Sequence, residues 1–588
     1  MRHLLTRDGG ATRLRVASLV GAAAVIAVSF AVVARSAGLD PTEFAPSLEP
    51  DAAVTDRQVP GNQSPAHVSA AFVPRPTPLA VGSPAGMGTN FNGINFHIQR
   101  RIADGGNQLS LEPPDQGLCV GNGSVLEAVN DTFAVYNTAG TRVSSYQSLN
   151  QLFAGDHAIV RSPTLVFGTF ISDPKCYYDT DSGRWFFTVL TIPRNPSTGA
   201  LQGHSDVRIA VSKSSTPTAN VADWTITTID TTNDGTNGTP SHPGCPCLGD
   251  QPLIGADKYG FYVTTNEFSL FGNGFNGAQV YAVQKSALVA GKTPKIQRIE
   301  GSPIASSYGD GPPYSLQPAT SPSAGDYATS SNGTEYLLGA LEFGKNVSNL
   351  DNRIAVWALT NTASLNTKPA IAIDDAVITS QVYGLPGAIV QPDGPTPFAD
   401  SLREHENLLD GGDDRMQAAT YAHGVLWGAG DTVVKTPTGS TQVGVTYYAV
   451  TPAVSGSTVS GSVVKQGYLS VEKASVTRPS LAVTSAGRGV IGVSLIGDTY
   501  YPSAAYATID DTLATAPSTL SLVARGVAPA DGFSGYHTFG SDGVERWGDY
   551  GAASADGNSV WIANEWIEGT RFGAEFANWS TYVTQVTP

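Results

Sequence analysis

The stretch RWGDYGAASADGNSVWIANEW, residues 546–566, contains two apolar runs separated by a turn of Asp, Gly and Asn. Six other segments show the same order of apolar run, polar turn and second apolar run. They begin at residues 113, 173, 250, 317, 414 and 478. The copies are followed by further alternating sequence, such as DVRIAVSKSS after the second copy. Residues 546–566 are therefore the seventh copy of a repeat and not an isolated hairpin.

Each repeat has room for four short strands with their connections. Such units cannot bury both faces alone, so they stack around a common axis. With 64 Gly, 38 Pro and only 14% charged residues, the chain is typical of an all-β protein. We predict a seven-bladed β-propeller. Six or eight blades are the alternatives, because the longest interval, from 317 to 414, has room for a hidden blade, although its irregular pattern favours an insertion.

The two ends of the repeat region are expected to meet. NFNGINFHIQRR, residues 90–101, is a strand-like run that precedes the first repeat, and the last repeat ends close to the C-terminus. We predict that residues 90–101 join the last blade and close the ring, which would remove an exposed sheet edge.

The N-terminal region predicts export. Four arginines in the first 15 residues precede the uncharged residues 16–34, so residues 1–37 are expected to be a signal peptide or a signal-anchor helix. Residues 38–87, rich in Pro, Ala and Ser, are expected to be a disordered linker, and residues 88–588 the propeller. The protein would be secreted or anchored outside the cell membrane, with membrane contact only through the N-terminal segment.

The net charge limits the classes of binding partner, and the cysteine content bears on the compartment. A net charge of −16 argues against binding of nucleic acid. Four cysteines suit an exported protein. Cys119 and Cys176 hold similar positions in adjacent repeats, so we favour a disulfide between them. Cys245 and Cys247 would then be a local disulfide or two free thiols; a metal site that adds His242 is the less favoured alternative.

Several segments resemble a known group of proteins: PPDQG, EAVNDTFAVYNTAG, SDPKCYYD, GDQPLIGADKYGFYVTTNEF and RWGDYGAAS. They are similar to exported bacterial propeller proteins, mostly uncharacterised, that are grouped loosely with sialidase-like propellers. The resemblance spans roughly residues 90–586; it implies the fold and no catalytic residue. SADGNSVW, residues 554–561, resembles an Asp-box but has Asn558 and Val560 where that motif has Gly and Thr. The sequence shows no arginine triad with a Tyr/Glu pair, so sialidase activity is not predicted.

Polar residues at the repeat starts would converge on one mouth of the central channel. These candidate ligand-binding residues are Asp115, Asp173, Asp250, Arg415, Arg478, Arg546 and Asp549. Carboxylates opposed by arginines would suit a cation, a sugar or a carboxylated ligand. The alternative is that these side chains cap strands and tie the blades together.

The long interval supplies the weaker catalytic candidates Glu404, His405, Glu406 and Asp414. Two facing carboxylates at a suitable separation can hydrolyse a glycoside, and a histidine can move a proton. No cofactor or metal is predicted, although the acidic turns DTDSG and DGGDD would suit a structural calcium; neither has the full pattern of a twelve-residue calcium loop.

These patterns favour an exported binding module for a glycan or a protein over an enzyme. Trp547 and Trp566 are the tryptophans to consider for stacking on a sugar ring. The alternative is an enzyme that acts on polysaccharide, a glycoside hydrolase or lyase with its carboxylates at the channel mouth. The sequence leaves the ligand and the oligomeric state undecided.

Overall fold

Seven antiparallel sheets surround a central channel. A computed structural model describes residues 72–102, 106–161, 163–301, 312–341, 350–510, 517–569, 571–572, 575–576 and 578–588. In every sheet the strands follow one another from the channel outwards, and the inner strands contact those of the neighbouring sheets. The chain is a seven-bladed β-propeller, as its pattern predicted and its resemblance implied; the alternatives of six or eight blades were wrong.

The blades are numbered along the chain, and their strands are given from inner to outer. Blade 1 contains Gln116–Gly121, Ser124–Val129, Thr132–Asn137 and Gln147–Ser148. Blade 2 contains Phe170–Asp179, Arg184–Ile192, Asp206–Ser212 and Trp224–Asp230. Blade 3 contains Cys247–Ala256, Gly260–Ser269, Phe275–Gln284 and Ile296–Glu300. Blade 4 contains Gln317–Pro318, Thr334–Ala340, Leu350–Thr360 and Ala372–Gly384.

The remaining blades include the strand contributed by the N-terminal region. Blade 5 contains Met416–Ala422, Val425–Lys435, Thr441–Ser455 and Thr458–Leu469. Blade 6 contains Ala474–Val483, Arg488–Gly497, Tyr500–Asp510, Thr519–Ala524 and the added Ala80–Gly82. Blade 7 contains Ala552–Asp556, Ser559–Trp566, Ser580–Val586 and Met87–Asn95.

Helices and small sheets lie between these strands. The α-helices are Phe96–Arg101, Lys285–Val289 and Pro397–Leu402, and Asn150–Ala154 is a π-helical turn. The 3₁₀ turns are Val221–Asp223, Ala324–Asp326, Ser330–Asn332, Thr362–Asn366, Phe533–Gly535 and His537–Phe539. Two-stranded pairs join Ile159–Val160 to Val166–Phe167, Leu408–Leu409 to Val544–Glu545, and Arg571–Phe572 to Glu575–Phe576.

The two ends of the repeat region close the ring. Met87–Asn95 pairs antiparallel with Ser580–Val586 as the outer strand of blade 7, which confirms the predicted closure. The prediction of a strand over 90–101 was wrong from residue 96 onwards, because Phe96–Arg101 is a helix. The Asn95 side chain accepts a hydrogen bond from the N–H of Ile98 at 2.8 Å and thereby caps the helix.

Among the described residues, strand structure is already present before residue 88, the predicted start of the propeller. Ala80–Gly82 runs parallel to Thr519–Ala524 at the edge of blade 6, and the N–H of Leu79 donates to the carbonyl of Ser470 at 2.7 Å. The predicted signal or anchor, residues 1–37, lies outside the described residues, as does most of the predicted linker. Across the described part of the chain, no helix is long and apolar enough to cross a membrane.

Apolar side chains fill the interface between each blade and the next. Every one of the seven blade-to-blade interfaces holds its own cluster of buried apolar residues. A fully buried tryptophan anchors four of them; these are Trp185, Trp357, Trp427 and Trp561. Burial of such large rings between sheets fixes how the blades stack, and therefore where their inner strands begin.

The interval before blade 5 is an insertion, as predicted. It contains the helix Pro397–Leu402 and the strand Leu408–Leu409, which runs parallel to Val544–Glu545. Phe398 packs edge-to-face on Tyr536, with ring centres 5.6 Å apart. The insertion therefore lies beside the chain segment that leads into the inner strand of blade 7.

Candidate ligand-binding site at the channel mouth

Polar side chains from three adjacent blades lie together where the inner strands begin. We call Asp115, Asp173, Lys175, Asp549 and Tyr550 the mouth cluster. The charges of Asp173 and Asp549 both act on Asp115, and Lys175 feels all three aspartates. The Lys175 Nζ lies 2.9 Å from the centre of the Tyr550 ring. The sequence had pointed to the three aspartates but not to Lys175 or Tyr550.

The inner strands of three blades share an irregularity, which in blade 2 lies at Asp173 of the mouth cluster. In blades 2, 3 and 6 the strand pairing shifts register at Asp173, Gln251 and Arg478. Each of these residues precedes a proline and has a positive φ, of 56°, 48° and 55° respectively. A left-handed, bulged residue costs conformational energy and redirects its side chain, a feature common near binding sites.

Asp115 is the most enclosed carboxylate of the mouth cluster at 3% exposure. Its Oδ2 accepts hydrogen bonds from Asn130 Nδ2 and Ser172 Oγ, both at 3.3 Å. Its Oδ1 accepts none from any described residue. Burial, and next the charges of Asp549 and Asp173, raise the pKa of Asp115 well above its usual range. The protonated acid is therefore favoured, and Oδ1 is a buried polar atom ready to bind a ligand.

Asp173 and Lys175 titrate near neutral pH. Burial, assisted by the charge of Asp549, raises the pKa of Asp173 to about 6. Burial also lowers the pKa of Lys175 to about 7, against the opposing effect of the three aspartates. Groups with pKa values in this range can both give and take protons at physiological pH, which is typical of functional sites.

Asp549 and Arg546 form the solvent-facing side of the site. Arg546 Nη2 lies 3.0 and 3.1 Å from the two carboxylate oxygens of Asp549, whose side chain is 32% exposed. Arg546 Nη1 donates to the backbone carbonyl of Glu112 at 3.0 Å. The arginine thus ties the approach to blade 7 to the approach to blade 1.

Arg415 and Asp250 lie at the mouth beside blade 3. Arg415 Nε lies 2.7 and 2.8 Å from the carboxylate oxygens of Asp413, and Nη1 donates to Gln251 Oε1 at 2.5 Å. Its guanidinium stacks on Tyr314, 4.8 Å from the ring centre. Asp250 is half-buried and directly precedes Gln251. Arg415 therefore holds blades 3 and 5 together through groups that the sequence analysis had not singled out.

Arg478 makes a buried connection between blades 5, 6 and 7. Its Nε donates to the carbonyl of Trp547 at 2.5 Å, and Nη2 donates to Asp410 at 2.9 Å. Its Nη1 lies 3.7 Å from Asp431. Burial raises the pKa of Asp431 to about 8, although Arg478 opposes this rise. Arg478 therefore ties blades together. This is the role that we predicted as the alternative to ligand binding for the polar residues at the repeat starts.

The catalytic candidates of the insertion do not share one environment. The Glu404 carboxylate accepts hydrogen bonds from the N–H groups of His537 and Thr538 at 2.7 and 2.9 Å. Burial would raise the pKa of Glu404, but the bonds from Thr538 and the backbone hold it below its usual value. His405 is exposed. Glu404 therefore anchors the insertion to the segment before blade 7.

Glu406 and Asp414 differ from each other in burial and neighbours. Glu406 is half-buried, and burial raises its pKa to about 7. Asp414 is buried at the start of the blade 5 inner strand, where its charge acts on Tyr383 and Tyr448. The contacts of the insertion candidates therefore do not join them to the mouth cluster in the described part of the chain.

Both acidic turns considered for calcium are occupied by basic side chains. In DTDSG, Asp179 lies 3.2 Å from the ammonium of Lys285. In DGGDD, Asp410 and Asp413 bind Arg478 and Arg415. Side-chain cations thus already supply the positive charge that calcium would bring to these carboxylates.

The cysteines form two disulfides. Cys119–Cys176 joins blade 1 to blade 2, which confirms the favoured pairing, and Cys245–Cys247 closes a local pair. Among the described residues, two groups could place three ligand atoms within 4.8 Å of one another: Cys245, Cys247 and Glu267, and His204, Asp206 and Asp230. In the first, both cysteine sulfurs are engaged in the disulfide.

Tryptophan does not form the ligand-facing surface. All eight tryptophans are buried, including Trp547 and Trp566. Below the mouth the channel contains a cavity of about 80 Å³ whose lining is mixed: Gln116, Gln317, Gln417 and Lys175 are polar, whereas Leu118, Ile254 and Leu481 are apolar. Lys175 thus connects the mouth cluster to the channel interior.

No family model matches the chain, and no curated protein matches it. The solved structures similar to it include the endosialidase of phage phi92, at 8% identity and a TM-score of 0.32, covering 81% of this chain and 67% of that one. An exo-β-1,3-galactanase from Clostridium thermocellum has 10% identity and a TM-score of 0.26, covering 86% and 97%. The hemagglutinin-neuraminidase of parainfluenza virus 5 has 10% identity and a TM-score of 0.31, covering 72% and 92%. At TM-scores of this size the similarities say nothing about ligand or activity, which have to be inferred from the residues at the mouth.

Proposed function

We propose that this protein is a binding module that holds a carbohydrate at the channel mouth, outside the cell. The observation that carries the proposal is the Oδ1 atom of Asp115, which is buried without a hydrogen-bond partner beside Asp173 and Asp549. Leaving such an atom unsatisfied costs about 1 to 3 kcal/mol, and a ligand polar group would remove this cost.

The chemistry of the mouth suits a polyhydroxylated ligand. Protonated Asp115 can donate a hydrogen bond, the carboxylate oxygens of Asp549 can accept one, and Lys175 offers an amine. A sugar ring presents hydroxyl groups that both donate and accept, so it can pair with all of these groups. A protein partner would need apolar or aromatic anchors, and the mouth cluster supplies only the buried ring of Tyr550.

The extracellular location is part of the proposal. It is supported by the uncharged segment 16–34 after four arginines and by the two disulfides, which persist in oxidising compartments. A carbohydrate ligand at a cell surface would be met there.

A second candidate function is cleavage of the bound glycan. Asp115 and Asp173 are neighbouring buried carboxyl groups whose pKa values are both raised, and each feels the charge of Asp549. One protonated and one ionised carboxyl group is the arrangement that general acid–base cleavage of a glycoside requires. Binding and cleavage would therefore use the same residues.

The test is retention of the full-length protein on immobilised neutral, cationic and anionic polysaccharides, with mass spectrometry of the supernatant. We expect retention that Asp173→Asn weakens at least about tenfold, a change of about 1.4 kcal/mol. The control Asp498→Asn removes an exposed carboxylate from a blade 6 hairpin and makes the same change in net charge. Retention on no polysaccharide, or equal retention of both variants, would refute the proposal. Released oligosaccharides that disappear in Asp115→Asn would establish cleavage instead of binding alone.

A further inference from the structure

We propose that the mouth cluster selects a carbohydrate that carries a protonated amine over the matching uncharged or acidic sugar. This inference rests on the proposed function and adds the class of ligand. It follows from which charges at the mouth already have partners and which buried acceptor atom does not.

The arginines of the mouth are already engaged by carboxylates. Arg546 binds Asp549, Arg415 binds Asp413, and Arg478 binds Asp410 and Asp431. Recognition of a uronic or sialic acid needs a guanidinium or ammonium group that is available to its carboxylate. An acidic sugar would have to displace these existing partners, and its own carboxylate would face the aspartates of the mouth cluster.

The three aspartates of the mouth cluster come from blades 1, 2 and 7 and face Lys175 and Arg546. Burial and the charges of Asp549 and Asp173 raise the pKa of Asp115 and favour its protonated form, so a ligand ammonium group can take the place of that proton. Asp115 Oδ1 is buried without a partner, and Asp549 is open to solvent. An ammonium group has three donors and no acceptor, so it can donate to carboxylate oxygens of several of these residues at once. Desolvation of the site strengthens this attraction relative to the same pair in water.

Lys175 is the internal competitor for this position. Lys175 is half-buried, its amine lies on the face of Tyr550, and it interacts with the same three aspartates. A ligand ammonium would favour the ionised forms of Asp115 and Asp173 and the neutral form of Lys175. The charged and titratable groups that act on the mouth cluster are its own members together with Arg546, Asp250, Arg415 and Arg478. Binding should therefore release protons near pH 6, where the pKa of Asp173 lies.

The test compares two ligands that differ in the amine alone: a hexasaccharide of glucosamine and the same chain fully N-acetylated. Calorimetric titration of the full-length protein near pH 6, in two buffers of different ionisation enthalpy, gives both affinity and protons released. We expect the amine form to bind at least about tenfold more tightly and to release protons. Asp173→Asn should reduce this preference to less than about threefold, whereas Lys175→Met should increase it. Asp498→Asn controls for non-specific attraction to an acidic protein.

The outcomes separate this inference from the proposed function. If the N-acetylated or an acidic hexasaccharide binds as tightly as the amine form, the selectivity is refuted while carbohydrate binding stands. If no sugar binds, both fail. A lysine hexapeptide that binds as tightly as the glucosamine chain would show that the site recognises cations without regard to the sugar, which overturns the inference. Equal preference in the wild type and Asp173→Asn would also overturn it.

Discussion

The ammonium group of Lys175 in blade 2 lies 2.9 Å from the centre of the Tyr550 ring in the approach to blade 7. Blade 1 lies between these two blades along the ring, and its Asp115 acts electrostatically on both residues. A cation held on an aromatic face in a desolvated site is stabilised by the ring, while burial lowers the pKa of Lys175 to about 7. Propeller closure thus creates a site that no single blade contains.

The raised pKa of Asp173 predicts a gain in stability when its charge is removed. The folded protein binds this proton more tightly than the unfolded chain, because the pKa rises from 3.8 to about 6. The free energy of unfolding therefore falls as pH rises from about 4 to 6, and the penalty is fully present above that range. Asp173→Asn should stabilise the protein by about 1 to 3 kcal/mol at about pH 8 and have little effect below about pH 4. Asparagine also tolerates the φ of 56°.

Urea unfolding at both pH values measures this difference. Asp498→Asn, which changes an exposed carboxylate, should shift neither midpoint. An equal gain for Asp173→Asn at both pH values would contradict the assignment of a raised pKa.

Two substitutions of Glu127, which lies at the closure of the ring, should differ in their effect on the free energy of unfolding. Its buried Oε1 accepts hydrogen bonds from the N–H of Ile94 at 3.1 Å and from the hydroxyl of Thr581, so blade 1 holds both outer strands of blade 7. Burial raises the pKa of Glu127. Glu127→Gln keeps an acceptor without a charge and should change stability by less than about 1 kcal/mol, whereas Glu127→Ala should cost about 2 to 4 kcal/mol. Thermal unfolding of the two variants measures this difference in stability. An equal loss of stability in both would contradict the role of Glu127 in joining blade 1 to blade 7.

The two disulfides should contribute unequally to stability. Cys119–Cys176 closes a sequence separation of 57 residues, whereas Cys245–Cys247 closes a separation of 2. Constraint of the unfolded chain grows with loop length, so replacing Cys119 and Cys176 together by alanine should cost about 4 kcal/mol. The same change at Cys245 and Cys247 should cost less than about half as much. The midpoints of urea unfolding of the two double variants test this prediction. A larger loss of stability on removal of Cys245–Cys247 than on removal of Cys119–Cys176 would contradict it.

Binding should depend on the mouth cluster and not on the insertion. Glu404 accepts hydrogen bonds from His537 and Thr538, so Glu404→Gln should lower stability by about 1 kcal/mol and leave the affinity for the retained glycan within about twofold. Asp115→Asn should weaken binding at least about tenfold, because it alters the carboxyl group with the open Oδ1. Affinity measurements on both variants distinguish the mouth cluster from the insertion as the binding site. Loss of binding in Glu404→Gln alone would show that the ligand binds at the insertion.

The blade count was predictable because each inner hairpin repeats one local pattern, and the ring closure followed from the need to pair the last sheet edge. The helix at Phe96–Arg101 was missed because its apolar pattern is short and the decisive signal is the single cap residue Asn95. The strand Ala80–Gly82 was missed because its partner, Thr519–Ala524, is remote in the sequence.

The site was predictable only in part. Asp115, Asp173 and Asp549 stood out because each lies at a repeat start. Lys175 was missed because a lysine within a strand is usually solvated, and only the neighbouring blades determine that it is half-buried against Tyr550. A usable signal was present: Asp173, Gln251 and Arg478 each precede a proline within an inner strand, and all three have positive φ. That shared pattern marks the bulges that turn side chains toward the mouth.

A carbohydrate ligand at the channel mouth should protect the backbone there from exchange with solvent. Hydrogen–deuterium exchange of the full-length protein, with and without a glycan that it retains, measures this protection. We expect slower exchange in three separate segments, around residues 113–117, 172–176 and 546–551, because one ligand would contact all three approaches at once. Protection confined to the outer strands of the blades or to residues 397–409 of the insertion would contradict it.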